Sequence, residues 1–247
     1  MCGRFAFMLV PEAMGRFAAD LRIDLPPARY NIAPTQPVLA IWQDESGRAA
    51  RLARWGLVPA WVKDPREFPL LVNARAETIA SKPAFRDSLK HHRCIVPASG
   101  YYEWRRDTDG PSQPFFIHAT NGDPLAMAGL WSTWIGPEGE EVDTLAVLTV
   151  PANDEIKTIH HRMPALLAEA DFDSWLDVRG HTGPEAMGAI RPAEQGVLAF
   201  HPVSRRVNSA ANDGPDLIAP AAPEPAPAPK KKPSEVKRKD SGQYDLF

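Results

Sequence analysis

Apolar and polar residues alternate in short runs along most of the chain, and clusters of Gly, Pro and Asp separate these runs. Alternation with a period of two is typical of β-strands that bury one face. Four other segments carry a helical pattern and begin with Pro or an acidic residue, as helix N-termini prefer. The pattern predicts strands at 38–42, 51–55, 94–97, 114–119, 125–131, 144–150 and 198–203, and helices at 11–21, 83–91, 169–177 and 184–190.

These predicted elements do not alternate regularly as strand and helix, which argues against a doubly wound parallel sheet. We predict an α+β domain with a mostly antiparallel, barrel-like β-sheet core and flanking helices. From about Pro215 the composition changes to Pro, Ala and Lys, which bury too little apolar surface to fold. We therefore expect a folded domain over residues 1–218, a disordered linker over 219–242 and a short terminal peptide at 243–247.

The overall composition is that of an ordinary soluble protein, with 44% hydrophobic and 24% charged residues among 247. Neither a membrane span nor a secretory leader is expected, and two cysteines are too few for a disulfide framework. These features favour a cytoplasmic location. The formal net charge of -3 argues mildly against nucleic acid, although binding needs only a local basic groove.

Cys2 directly follows Met1, and this position gives it a chemistry that internal cysteines lack. An aminopeptidase can remove Met1 because the next residue is small, which leaves a free α-amine and a thiol on one residue. An α-amine with a pKa of ~7.7–8.0 can add to an aldehyde to form a Schiff base. The thiol can then close a five-membered thiazolidine, once a neighbour helps to form its thiolate. Position alone leaves open that Cys2 is incidental.

Two residues are candidates for acid–base chemistry. In a strand, Tyr102 and Trp104 would share one face and Glu103 would point to the other, where burial would raise its carboxyl pKa. A solvated glutamate on the wet face of a sheet is the alternative. His160, in an ordered loop before Pro164, could shuttle protons near its ordinary pKa of ~6.5. No spacing of Cys, His and carboxylates completes a metal site, and we predict neither a metal nor a cofactor.

Polar and aromatic residues also suggest a nucleic-acid surface. Asn73 and Arg75 would lie on one strand face, where the arginine could make forked contacts with phosphate. The alternative is a surface ion pair between Arg75 and Glu77. Trp61 could stack on a base or wedge against a duplex end, although most tryptophans of such domains are core residues.

Taken in order, the motifs of this chain resemble those of the SRAP (SOS response-associated peptidase) family over residues 2–218. Each motif alone is weak, whereas the ordered set is specific. The set comprises Cys2-Gly3-Arg4-Phe5, Asn31-Ile32-Ala33-Pro34, Trp55-Gly56, Asn73-Ala74-Arg75, Gly100-Tyr101-Tyr102-Glu103-Trp104, Ile159-His160 with Arg162 and Pro164, and His201-Pro202-Val203-Ser204.

The resemblance implies an abasic-site sensor that crosslinks its N-terminal cysteine, as a thiazolidine, to the ring-opened aldehyde of abasic sites in single-stranded DNA. It implies that Cys2 is the nucleophile and that Asn73 positions the sugar and the cysteine. It also implies that Glu103 and His160 transfer protons, and that any peptidase activity is self-removal of Met1. The residues implied to contact phosphates or DNA are Arg4, Arg75, Arg162, Pro34 and Trp61.

Two other functions stay open at the level of sequence. Cys2 could be the nucleophile of an N-terminal-nucleophile amidohydrolase, with its own amine as the base. Alternatively, the protein could be a non-catalytic DNA-damage adaptor. The crosslinking function is favoured because it gives roles to Asn73, Glu103 and His160, which an adaptor leaves unexplained.

The last five residues resemble the short peptides with which bacterial repair proteins dock into the hydrophobic cleft of the DNA sliding clamp. Gln243 would form hydrogen bonds, and Leu246 and Phe247 would anchor the peptide at the end of a flexible tether. The expected partners are thus single-stranded DNA with abasic sites and the sliding clamp. The protein is expected to be a monomer that does not contact membranes.

Overall fold

The computed structural model describes residues 2–17, 25–45, 47–106 and 111–221. Strands dominate this part of the chain. They are β1 (Phe5–Phe7), β2 (Arg29–Ile32), β3 (Pro37–Asp44), β4 (Gly47–Trp55), β5 (Asn73–Arg75), β6 (Arg93–Ala98), β7 (Gly100–Arg105), β8 (Gln113–Ala119), β9 (Leu125–Ile135), β10 (Glu141–Pro151), β11 (Arg162–Pro164) and β12 (Leu198–Pro202).

The helices of the described residues are short and lie around the sheets. They are α1 (Pro11–Met14), α2 (Pro83–His91), α3 (Asp154–Lys157), α4 (Phe172–Leu176) and α5 (Gly183–Ala186), with 3-10 turns at Glu169–Asp171, Met187–Ala189, Arg205–Asn208 and Pro215–Leu217. Within the described residues, none of these helices is long and apolar enough to cross a bilayer.

Five strands close into a barrel. β3 pairs antiparallel with β4 and β6, β6 pairs with β9, and β9 pairs with β10. β10 completes the ring by a parallel pairing with β4. Its far end also binds β5 in parallel and β11 antiparallel. A closed sheet removes the unpaired edges, and β10 becomes the strand that joins the barrel to Asn73 and Arg162.

A second, antiparallel sheet has the strand order β12-β8-β7-β1-β2. β1 lies beside β7 with Phe5 opposite Tyr101, and the Tyr102 amide donates to the Arg4 carbonyl. This pairing brings the N-terminal residues next to Glu103. Tyr101 packs into the main core, whereas Tyr102 packs on the other face against Phe116 and neighbouring residues.

The fold class predicted from the sequence is confirmed, and the seven predicted strands are β3, β4, β6, β8, β9, β10 and β12. The helix predicted at 83–91 is α2, while the segments at 169–177 and 184–190 each divide between an α-helical and a 3-10 turn. The helix predicted at 11–21 is helical at Pro11–Met14, which form α1. Its last four residues, 18–21, lie outside the described residues. β1, β2, β11 and α3 were not predicted, because three or four residues are too few to show a period.

The predicted C-terminal features fall almost entirely outside the described residues. The described residues do not include the linker from residue 222, nor the terminal peptide with Gln243, Leu246 and Phe247. The described part ends with the Ala221 amide donating to the Pro202 carbonyl, at the end of β12.

Arg93 at the start of β6 ties the helical layer to the barrel. Its buried guanidinium donates to four backbone carbonyls: Leu89 of α2, Trp175 of α4, and Asp177 and His181 in the following loop. One side chain thus satisfies the carbonyl ends of two helices, which have no intrahelical partners.

Replacement of Arg93 by methionine is expected to lower the free energy of unfolding by about 3–5 kcal/mol, because four buried carbonyls lose their donor. Urea denaturation measures this loss. Arg66→Met is the matched control, since Arg66 is exposed and pairs with Asp64 at the surface, and its unfolding curve should overlay that of the wild type. Equal curves for both variants would contradict the role of Arg93.

Candidate active site

Cys2 lies buried just before β1, in the main core cluster. Its carbonyl oxygen accepts a hydrogen bond from Asn73 Nδ2 at 2.9 Å, and its thiol donates to the Arg4 carbonyl at 4.0 Å. Asn73 is held by β5, whose parallel pairing places it opposite Val147 of β10. Residues that are 71 positions apart in the chain therefore fix the backbone of Cys2.

Glu103 is buried beside Cys2, with 2% of its side chain exposed. It lies on the face of β7 opposite Tyr102 and Trp104, which both belong to the smaller core cluster. Burial raises the pKa of Glu103 to about 7. Because carboxylic acid and carboxylate are then both populated at neutral pH, the group can donate and accept protons. The alternative of a solvated surface glutamate is wrong.

The Cys2 thiol is held in its neutral form by its surroundings. Burial raises its pKa first, and the nearby negative charge of Glu103 raises it further. A buried thiolate needs a compensating donor or a positive charge. Formation of the nucleophile therefore depends on a base that takes the proton within the site.

His160 follows the short helix α3 and lies at the rim of the same site. Its Nδ1 is 3.7 Å from Glu103 Oε1 and 3.1 Å from both the amide nitrogen and the carbonyl oxygen of Arg162. The Arg162 backbone thus sets the orientation of the ring. Burial lowers the pKa of His160, so the imidazole is predominantly neutral at pH 7.

The three arginines predicted to hold phosphates differ in environment. Arg162 is buried and makes a forked pair with Glu77 and a 2.5 Å hydrogen bond to the Thr149 carbonyl. Arg4 donates to Asn31 Oδ1 at 2.8 Å and to the carbonyls of Val207 and Asn208. Arg75 is exposed on β5. Glu77, its partner in the alternative interpretation, forms its ion pair with Arg162 and is affected by Arg75 only through charge. Of these three arginines, Arg75 is thus the most open to a ligand.

Trp61 and Pro34 lie in loops outside the buried cluster. Trp61 is 60% exposed and packs edge-on against Phe68, with ring centroids 5.5 Å apart. An exposed indole of this size is free to stack on a planar ligand. Pro34 is half-buried and precedes Thr35, which has a φ of 74°.

Sequence reasoning gave no structural role to several residues that lie outside the site and fix its residues in place. Glu77 and Thr149 fix Arg162, and Asn31 binds three backbone carbonyls of the segment 207–212 through its amide nitrogen. No local pattern signals such pairings. Tyr101 was also missed, although the alternation along β7 places it on the same face as Glu103. Among the described residues, no group of three or more His, Cys, Asp and Glu side chains is arranged to hold a metal ion.

Comparison with known proteins places this geometry in a family. The model of the SOS response associated peptidase (SRAP) family matches residues 1–210. The chain is 35% identical over 222 residues to the abasic site processing protein YoqW of Bacillus subtilis, covering 88% of this chain and 99% of that protein. It is 34% identical over 230 residues to the abasic site processing protein YedK of Escherichia coli, covering 89% and 100%.

A solved structure supports the fold. The crystal structure of a protein from Bacteroides thetaiotaomicron superposes with a TM-score of 0.78 at 24% identity, over 90% of this chain and 100% of that one. The family assignment rests on the family model and the curated relatives, and the matched residues include Cys2, Asn73, Glu103 and His160. The chain belongs to the SRAP family.

Proposed function

We propose that this protein processes abasic sites in single-stranded DNA by bonding its N-terminal Cys2 covalently to the aldehyde of the opened sugar. The names of its relatives support abasic sites as the substrate class. One observation carries the chemistry: the chain's N-terminal cysteine is buried against Asn73 and Glu103, a positioning amide and a carboxyl that titrates near neutrality.

The reaction begins once Met1 is removed, by an aminopeptidase or by the protein itself. The α-amine of Cys2 adds to the aldehyde carbon, and loss of one water gives an imine. The sulfur then attacks the imine carbon, the C=N electron pair moves to nitrogen, and the thiol proton ends on that nitrogen. The product is a thiazolidine in which one carbon of the sugar is bonded to both nitrogen and sulfur.

Glu103 is the group that moves protons in this sequence. As a carboxylic acid it protonates the oxygen that leaves as water, and as a carboxylate it takes the thiol proton. Both forms exist at pH 7 because its pKa lies near that value. His160, 3.7 Å away, relays protons between Glu103 and solvent. The same groups run the steps backward when the crosslink is reversed.

DNA binding uses the exposed groups around the buried cysteine. Arg75 contacts phosphates, and Trp61 stacks on a base or at the end of a duplex. The guanidinium of Arg4 is held by Asn31 and by the carbonyls of Val207 and Asn208. Arg162 acts through its backbone, which orients His160, while its guanidinium stays with Glu77. Extrusion of an abasic sugar into the site costs little, since no base has to be unstacked.

Intact-mass spectrometry of the purified protein, with and without an oligonucleotide that contains one abasic site, tests the proposal. The protein alone should have lost Met1. After incubation, its mass should increase by that of the oligonucleotide minus one water, and the adduct should survive denaturation. A matched oligonucleotide with a reduced abasic sugar, which has no aldehyde, should give no adduct. Absence of an adduct with the aldehyde-bearing strand would refute the proposed function.

A further inference from the structure

Tyr101 carries a buried hydroxyl that has no role in the chemistry described above. The side chain is fully buried, and its hydroxyl oxygen has no hydrogen-bond partner among the residues that the structure describes. Nearly all buried hydroxyls in proteins are satisfied, because an unpaired one loses its bonds to water without replacement. An unpaired buried hydroxyl beside a reactive group therefore points to a function for that oxygen.

The position of Tyr101 in the sheet brings it to the reactive end of the chain. It lies two residues before Glu103 on the same face of β7, and opposite Phe5 of β1. Tyr101, Phe5 and Cys2 share one buried cluster. Burial raises the pKa of the phenol well above its usual value, and the charges of Cys2 and Glu103 raise it further. The hydroxyl is thus close to both groups and keeps its proton.

In the described part of the chain, the Cys2 thiol has an acceptor as its hydrogen-bond partner. The thiol donates its proton toward the Arg4 carbonyl, and a carbonyl oxygen is only an acceptor. Once the proton leaves, the sulfur anion would face this oxygen. A hydrogen-bond donor is needed at that moment, and Tyr101 is a buried donor without another task in the described part of the chain.

Tyr102, the next residue, shows the contrasting case. Its hydroxyl donates to the Tyr30 carbonyl at 2.6 Å, on the opposite face of β7. Neighbouring tyrosines therefore differ in one respect: the hydroxyl of Tyr102 is used to hold the fold, and that of Tyr101 is not.

We infer that the Tyr101 hydroxyl donates a hydrogen bond to the Cys2 sulfur when the thiolate forms for ring closure. This inference rests on the proposed function. The thiol proton passes to the Glu103 carboxylate, and the sulfur attacks the imine carbon. The imine nitrogen receives the electron pair and takes the proton back from Glu103. Tyr101 retains its own proton throughout and lowers the free energy of the anion.

The test separates the two bond-forming steps in Tyr101→Phe and Tyr102→Phe. Cyanoborohydride trapping measures formation of the imine, and a denaturing gel measures formation of the stable adduct. Loss of one hydrogen bond to a charged sulfur corresponds to roughly a tenfold loss of rate. Tyr101→Phe should therefore form the imine at the wild-type rate and close the ring about tenfold more slowly. Its thermal stability should not fall, since no hydrogen bond is lost. Tyr102→Phe should unfold at a lower temperature and keep the wild-type rates of both steps.

The outcomes separate this inference from the function on which it rests. If the wild type forms no adduct, the proposed function fails. If the wild type reacts and Tyr101→Phe closes the ring at the same rate, the role of Tyr101 is overturned. A Tyr101→Phe protein that forms the imine and closes the ring more slowly by the same factor would also overturn it, because the hydroxyl is proposed to act only on the sulfur.

Discussion

Replacement of Cys2 by serine is expected to abolish the denaturation-resistant adduct proposed to form with abasic single-stranded DNA. Serine keeps the α-amine and can still form an imine, but its hydroxyl is a far weaker nucleophile than a thiolate and does not close a stable ring. The structure adds that Cys2 is buried beside Asn73 and Glu103, a position that the other cysteine of the chain does not share. A denaturing gel and intact-mass spectrometry measure the loss.

Cys94→Ser is the matched control. Cys94 is also buried and free, but it lies on β6 in the barrel, where its sulfur is close to Gly129. The Cys94 variant should form the full adduct. Acetylation of the α-amine, or a variant that retains Met1, should be as damaging as loss of the sulfur, because both leave Cys2 without the free α-amine that the thiazolidine requires. An adduct of undiminished yield in Cys2→Ser would contradict the assignment of the nucleophile.

Replacement of Glu103 by glutamine should slow crosslinking by roughly 10²–10⁴-fold, the usual contribution of a positioned acid–base group. Glutamine keeps the size and polarity of the side chain but cannot exchange a proton. The wild-type rate should change most around pH 7, where Glu103 titrates, and the variant should lack this titration. Glu67→Gln, at an exposed position, is the control and should leave rate and profile unchanged.

Glu103→Gln, which should slow crosslinking, should also make the folded protein more stable above pH 7. The pKa of Glu103 is about 7 in the folded protein against an ordinary 4.5, so folding favours the protonated form. The wild type therefore loses stability as the pH rises from about 4.5 to 7, by about 3 kcal/mol at most, since each pKa unit corresponds to ~1.4 kcal/mol. Glutamine is neutral at every pH. Thermal denaturation at pH 8 should show Glu103→Gln above the wild type, and a lower melting temperature would contradict the burial of the charge.

The sequence was sufficient for the strands with long alternating patterns, and it identified Glu103 through the alternation of Tyr102 and Trp104. It could not show which distant segments meet. Asn73 reaches Cys2 only because β5 pairs with the end of β10, and strand order is a property of the whole sheet.

The roles of the arginines could not be predicted from the sequence either. Arg162 belongs to a motif that suggests phosphate binding, yet its two terminal nitrogens bind Glu77, which is 85 residues away. A charged side chain in a motif can bind a ligand only if no internal partner already binds it. Such competition is decided by the folded neighbourhood, which no local pattern of residues contains.

The contacts of Arg4 with the end of the domain set an order of events during synthesis. Arg4 binds the Val207 carbonyl, 203 residues later in the chain. At roughly 5–20 residues/s, the ribosome needs about 10–40 s to make the residues between them. Until then the N-terminal strand cannot complete its native contacts, and Cys2 stays accessible. In the proposed chemistry, an aminopeptidase can remove Met1 from the growing chain during this interval. Self-removal of Met1 would instead have to wait until folding brings Asn73, Glu103 and His160 to Cys2.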